Sequence, residues 1–202
     1  MKLLNAGCGS QRPQNQEWVN LDDWEGGGHE INEPNFVRHD LRERLPFDSG
    51  TFDGVLFSHC LEHMDCQTGL KVMWEFLRVL KPGGCLMVSV PNASYFRQVY
   101  HEDHNAAWPR LFDVSDPPNP ILTFFEAALW FEQHSVLLTE DSLWAYFVRA
   151  GFSEPVNLRF TATDDSLTIS RPLKAVPEVF NQLVAQLNRL KFSLVMSALK
   201  PQ

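Results

Sequence analysis

The chain has 202 residues, 44% of them hydrophobic, with a formal net charge of −8 and four cysteines. Length and apolar share suit one domain, or a domain with a lid, around a sizeable core, and no apolar run is long enough to span a membrane as a helix. The acidic balance argues against nucleic acid as a partner, because backbone binding needs a basic face. Cys8, Cys60, Cys66 and Cys85 form no Cys-x-x-Cys pair, which favours reduced thiols in a cytoplasmic protein over a disulfide scaffold. Strand-like sequence from Lys2 onward leaves no room for a secretory signal.

Leu3–Ala6 reads as a short buried strand, followed by the turn Gly7-Cys8-Gly9-Ser10. Trp18–Leu21 is a second strand, ending at Asp22-Asp23. The connection between them carries Pro13 and is too short for a full helix. Phe36–His39 is a short third strand that runs into Asp40-Leu41, and Leu45–Gly50 is a turn-rich loop. Phe52–Ser58 is a strong strand. A helix follows, capped by Asp65 or Thr68, with Leu70, Met73, Phe76, Leu77 and Leu80 at helical spacing. Lys81-Pro82-Gly83-Gly84 is expected to stop it, and Cys85–Val90 is the next strand.

Residues 93–137 are an insertion rich in rings, including Tyr95, Phe96, Trp108 and Trp130, and punctuated by prolines. Over the edge of a parallel sheet such a segment would form a lid that excludes water and shapes a substrate pocket. Core filling or a homodimer face is the alternative. A helix starts at Thr139, with Leu143, Trp144, Phe147 and Val148 as its buried stripe and Gly151 at its end. Val156–Thr161 reads as a strand, Glu178–Leu190 as a helix and Phe192–Leu199 as a final strand. Strands alternating with helices predict an α/β fold with a largely parallel sheet.

Glycines in the first turn let the backbone approach a ligand, since no Cβ intervenes and positive φ costs nothing. A carboxylate at the tip of the second strand can accept hydrogen bonds from ribose hydroxyls. A nicotinamide fingerprint would need Gly or Ala at the position of Arg12, and the short connection lacks the phosphate-binding helix. No Gly-Lys-Ser/Thr is present, which removes the triphosphate-binding loop. A cofactor without phosphate, such as S-adenosylmethionine, tolerates both departures.

Leu3–Ser10, Val19–Asp22, Asp40-Leu41, Phe52–Val55 with His59-Cys60-Leu61-Glu62-His63, and Leu80–Gly84 together resemble the class I S-adenosylmethionine-dependent methyltransferases. Within them the methyltransferase type 11 group is the nearest match. The resemblance covers residues 2–92 and resumes at Leu138–Phe152. It implies a Rossmann-like, mostly parallel seven-stranded sheet flanked by helices, with the last strand antiparallel. It also implies S-adenosylmethionine as cofactor and S-adenosylhomocysteine as product. Gly7 and Gly9 would pass under the methionine arm with Asn5 nearby, and Asp22 would hold the ribose. Asp40 and the Leu41 backbone would meet the adenine, and Ser58 would line the methionine side. Asn5 replaces the group's usual acidic residue and cannot neutralise the cofactor's ammonium.

His59 and His63 are the candidate bases, because imidazole titrates near neutral pH. His104 or His134 could instead reach in from the insertion. His59-Cys60-Leu61-Glu62-His63 also spells His-x-x-Glu-His, the inverted zinc-protease pattern. That pattern needs both histidines on one helix face and a third ligand downstream, whereas the run starts at a strand end before the helical stripe begins, so no metal site is expected; a loop with Glu62 and His63 pairing locally is the plainer reading. His101-Glu102-Asp103-His104 reads as a solvated loop before it reads as a metal grip. The expected activity is methyl transfer to a small-molecule acceptor. The alternatives are a weakly active or inactive S-adenosylmethionine-binding interaction protein and, below it, a nicotinamide-dependent oxidoreductase. A homodimer through the insertion is the only protein partner expected, and no membrane contact is.

Overall fold

The structure is a computed structural model that describes residues 1–23, 32–102, 133–160, 167–169, 177–185 and 193–202. Its strands are β1 (Leu3–Ala6), β2 (Trp18–Asp22), β3 (Phe36–Arg38), β4 (Phe52–Ser58), β5 (Leu80–Pro91), β6 (Ser153–Phe160), β7 (Leu167–Ile169) and β8 (Ser193–Leu199). Its helices are α1 (Cys66–Val79), α2 (Ala93–Glu102), α3 (Glu140–Ala150) and α4 (Pro177–Ala185), with a 3-10 turn at Leu61–His63. One sheet holds every described strand in the order β3-β2-β1-β4-β5-β8-β6-β7. Strands β1 to β5 are parallel, and β8 runs antiparallel between β5 and β6. All seven expected strands are present. The eighth, β7, is a three-residue edge strand paired antiparallel to β6, too short to leave a pattern in the sequence.

Each face of the sheet carries its own apolar layer, as the twofold alternation of strand side chains requires. Leu4, Val55, Phe57, Leu86 and Val88 pack with α1 and α3. Leu3, Trp18, Leu56, Cys85 and Met87 turn to the opposite face, where Val179 and Leu183 of α4 cover them. Gly54 admits that helix: a Cβ there would lie 2.8 Å from Val179.

Helix α1 is capped by Asp65, whose carboxylate accepts from the Gln67 and Thr68 amides. Its end differs from expectation. The helix stops at Val79 because Leu80 is already extended, at φ −70° and ψ 145°. Lys81–Gly84 therefore opens β5 and does not form a separate cap; Pro82 disfavours helical backbone at Lys81. Helix α3 has the expected Thr139 cap, completed by Ser142, and Gly151 at φ 97° closes it. Its buried face is Leu143, Tyr146, Phe147 and Ala150. Trp144 and Val148 are half-exposed instead, because they sit about 110° and about 150° around the helix from the centre of that row. Helix α4 coincides with the start of the expected Glu178–Leu190 helix, whose last residues lie outside the described ones.

The 93–137 insertion leaves and returns at one place. Asn92 and Leu138 form a parallel bridge, and the Ala93 amide donates to the Leu138 carbonyl at 3.0 Å. Of the insertion, α2 and residues 133–137 are described. The lid expectation, and His104 with it, otherwise lies outside the described residues.

Candidate active site

β1 lies between β2 and β4, where the chain's crossovers reverse direction. In open α/β sheets that reversal leaves a crevice beyond the carboxyl ends of the strands. The first turn fills its floor. Gly7 and Gly9 have φ of 66° and 50°. The Gly7 amide donates to the Leu21 carbonyl at 2.8 Å, and the Gly9 amide donates to Asp22 Oδ2 at 2.7 Å. Asp22 thus anchors the turn at the place where ribose hydroxyls were expected. From below, Gly7 rests on Cys60: a Cβ at Gly7 would come within 2.3 Å of Cys60 Sγ.

Side chains shape this turn in place of a helix. Asn5 Nδ2 donates to the Gln11 carbonyl at 2.7 Å and to Asn20 Oδ1 at 3.1 Å. Asn20 and Asn35 both donate to the Pro13 carbonyl, at 3.0 and 2.7 Å. Arg12 donates to the Gly9 carbonyl and pairs with Glu33 at 3.1 Å. Burial, with the Asp22 carboxylate adding to it, pushes the Cys8 thiol up to about 12. Burial, then the charges of Glu62 and Asp22, raises Cys60 as well. Neither thiol is a nucleophile at neutral pH.

Two open cavities meet over Gly7. The first, about 230 Å³, is lined by Asn5, Gly7, Gly9, Ser58 and His59 among others. The second, about 290 Å³, is lined by Gly7, Asp22, Asp40, Leu41, Cys60 and His63 among others. The residues expected at the methionine arm fall in the first and those expected at the nucleoside in the second. Asp40 is also tied to its neighbour. Its carboxylate accepts from the Arg42 amide and Nε, both at 2.9 Å, and these Arg42 contacts hold it below the usual carboxylate range.

The two candidate bases stand at different cavities. His59 has φ 53°, and its amide donates to the Ser89 carbonyl at 2.8 Å. Its Nδ1 lies 3.2 Å from Glu62 Oε1, and its Nε2 lies 2.9 Å from Ser193 Oγ. His63 lines the second cavity, and its ring meets His134 edge-on at 4.9 Å between centroids. Glu62 is 1% exposed and pairs with His59, in addition to the local Glu62–His63 neighbourhood read from the sequence. Donor atoms of Glu62, His63 and His134 lie within 4.8 Å of one another. His59 is outside that group, so the inverted-motif geometry is not formed; the third donor comes from the returning limb of the insertion. There the Ser135 and Val136 amides both donate to the Glu62 carbonyl, at 2.7 and 3.2 Å. Ser193 escaped the sequence reading because a serine opening the last strand belongs to no motif. The buried Asn20 could have been found as a polar residue in an otherwise apolar strand.

A Rossmann-like sheet with this strand order, a Gly-x-Gly turn over the crevice and an acidic residue closing β2 define the class I methyltransferase fold. Residues 4–88 match the family model of the methyltransferase domain. A demethylmenaquinone methyltransferase of Mycolicibacterium gilvum is 36% identical over 99 residues, 46% of this chain and 42% of that protein. The aligned stretch thus spans less than half of that relative. Among solved structures, an S-adenosylmethionine-dependent methyltransferase of Thermotoga maritima superposes with a TM-score of 0.59 at 13% identity, covering 98% of this chain and 82% of the other. One from Archaeoglobus fulgidus gives 0.57 at 19%, covering 98% and 86%. These likenesses extend the shared fold across nearly the whole chain.

Proposed function

We propose that the protein transfers the methyl group of S-adenosylmethionine to a small-molecule acceptor by in-line displacement. The observation that carries this reading is the pair of cavities joined over Gly7, with Asp22 at one side and Ser58 and His59 at the other. Bound there, S-adenosylmethionine supplies an electrophilic methyl on a sulfonium whose leaving thioether needs no acid. The chain's residues supply position. Asp22 accepts from the ribose hydroxyls, Leu41 meets the adenine with Asp40 beside it, and Gly7 and Gly9 let the methionine arm lie on the backbone. His59 faces the methyl end and His63 the nucleoside end, so His59 is the base. Alignment and water exclusion account for most of the rate.

A second reading keeps the cofactor and drops the chemistry. It draws on Asn5, whose amide is engaged with Gln11 and Asn20 and carries no charge for the cofactor's ammonium. Calorimetry with S-adenosylmethionine, S-adenosylhomocysteine and NAD tests the shared cofactor. Binding of the two sulfur compounds, with affinity reduced at least about tenfold by Asp22→Ala and no binding of NAD, is the expected result. Absence of binding by either sulfur compound at millimolar concentration refutes both readings. An acceptor screen then separates them, starting with the demethylmenaquinone in the Mycolicibacterium relative's name.

A further inference from the structure

We propose that Glu62 is a positioning residue: it holds His59 with Nε2 unprotonated, as the proton acceptor for an acceptor molecule that reacts through a weakly acidic hydroxyl. The proposal rests on the methyl-transfer reading for the identity of the reaction and on separate observations for the device itself. Glu62 is 1% exposed, and among the described residues no hydrogen-bond donor is aligned on either carboxylate oxygen. A buried carboxylate without a partner is costly. The structure pairs it with His59 Nδ1, 3.2 Å from Oε1, while nitrogens of His63 and His134 lie within 4.8 Å of the carboxylate. A carboxylate at Nδ1 retains the proton there and leaves the lone pair on Nε2. That nitrogen lies 2.9 Å from Ser193 Oγ, whose hydroxyl then donates to it.

The backbone supports the same conclusion. A non-glycine residue at φ 53° is held in a sparsely populated conformation, and such residues cluster where a side chain must be aimed. The His59 amide is fixed to Ser89 of β5, Nε2 is fixed to Ser193 of β8, and Glu62 is fixed through its carbonyl to the Ser135 and Val136 amides. Three separate segments therefore determine one imidazole. Its ring lines the same cavity as Gly7, Gly9 and Ser58.

The chemistry balances. The acceptor's O–H bond breaks and its proton moves to His59 Nε2, directly or through Ser193. The freed oxygen pair forms the O–CH3 bond, and the C–S bond breaks with its electrons going to sulfur. The sulfonium charge is lost while the imidazolium charge appears, and Glu62 sits against that new charge. A nucleophile with no proton to lose would make no use of this arrangement.

The test is nitrogen-detected NMR of the full chain labelled at its histidines, at mildly alkaline pH, with calorimetry of S-adenosylmethionine on the same sample. Wild type should show His59 in the Nδ1–H form. Glu62→Gln, whose amide can offer either a donor or an acceptor to Nδ1, should let the Nε2–H form appear. Ser193→Ala should shift the Nε2 resonance and leave the proton on Nδ1. Should Glu62→Gln fail to fold, Glu62→Asp shortens the carboxylate's reach and carries the same readout. An Nε2–H form in wild type, or a spectrum unchanged by loss of the Glu62 charge, overturns the proposal. So does zinc ion added alone if it shifts His63 and His134 only while Glu62 is intact, since the carboxylate would then serve a metal. Failure of wild type to bind S-adenosylmethionine refutes the methyl-transfer reading and leaves the NMR result to judge the device.

Discussion

Gly7 is the residue at which one added methyl group would do the most harm. Gly7→Ala combines a left-handed backbone, about 1–2 kcal/mol, with overpacking against Cys60, about 1–3 kcal/mol more. Gly9→Ala meets only the backbone term, because nothing lies within 4 Å of its added Cβ. Urea unfolding should therefore rank Gly7→Ala well below Gly9→Ala. Adding Cys60→Ala to Gly7→Ala should recover the packing part and not the backbone part; equal losses at the two glycines would show that Cys60 yields freely. The glycines and Asp22 were legible in the sequence because they form a local pattern: 13 positions separate Gly9 from Asp22. Cys60 lies 53 positions from Gly7, and Ser193 lies 134 from His59. No local pattern encodes contacts that distant; only the closed sheet brings them together.

At the scale of elements, the segment after β3 is stapled to α1. Arg78 donates to the Leu45 and Phe47 carbonyls at 3.0 and 2.7 Å, and the Leu45 amide donates to Glu75 Oε2 at 2.8 Å. Arg78 and Glu75 pair at 2.7 Å. This staple fixes the loop that leads out of Asp40 and Leu41 and so sets one wall of the second cavity. The Arg78 hydrogen bonds hold the Glu75 carboxyl below its ordinary value of 4.5. A depressed carboxyl stabilises the fold above that ordinary value and stops doing so as pH falls through the lower folded one. Glu75→Gln should cost about 1 kcal/mol at neutral pH, with the gap to wild type closing in acid below 4.5. Chemical denaturation at two pH values checks this; a gap independent of pH would assign the loss to packing. The caps at Asp65, Thr139 and Gly151 could be read in advance because each depends on its own few residues. The face of α3 was misread because Trp144 and Val148 are apolar yet stand off the buried row, and composition does not fix helix phase when more than one face is apolar.

The whole molecule is a sheet with a separate apolar layer on each side, and its four free thiols sample different depths of it. Cys66 is exposed at the start of α1, Cys60 lies under the first turn, and Cys8 and Cys85 are buried. Cys85 belongs to the layer under α4, and burial raises it to about 11. Alkylation under native conditions should modify Cys66 first, as peptide mass mapping would show. Cys8 and Cys60 should follow only on opening of the turn, and Cys85 only on global unfolding. Early labelling of Cys85 would mean that the α4 layer opens independently of the other. The general architecture was legible because strand and helix periods alternate cleanly through residue 92; the order of the last strands depends on long-range pairing that local periods do not record. One further consequence follows from the Asn92–Leu138 bridge. Because Asn92 and Leu138 meet at a hydrogen-bonded step, the sheet holds the two ends of the intervening chain together whatever its length. A segment from another protein could be exchanged there with only a logarithmic entropic cost for a different length. The two ends are thus a natural joint at which the intervening segment can be exchanged without redesigning the sheet.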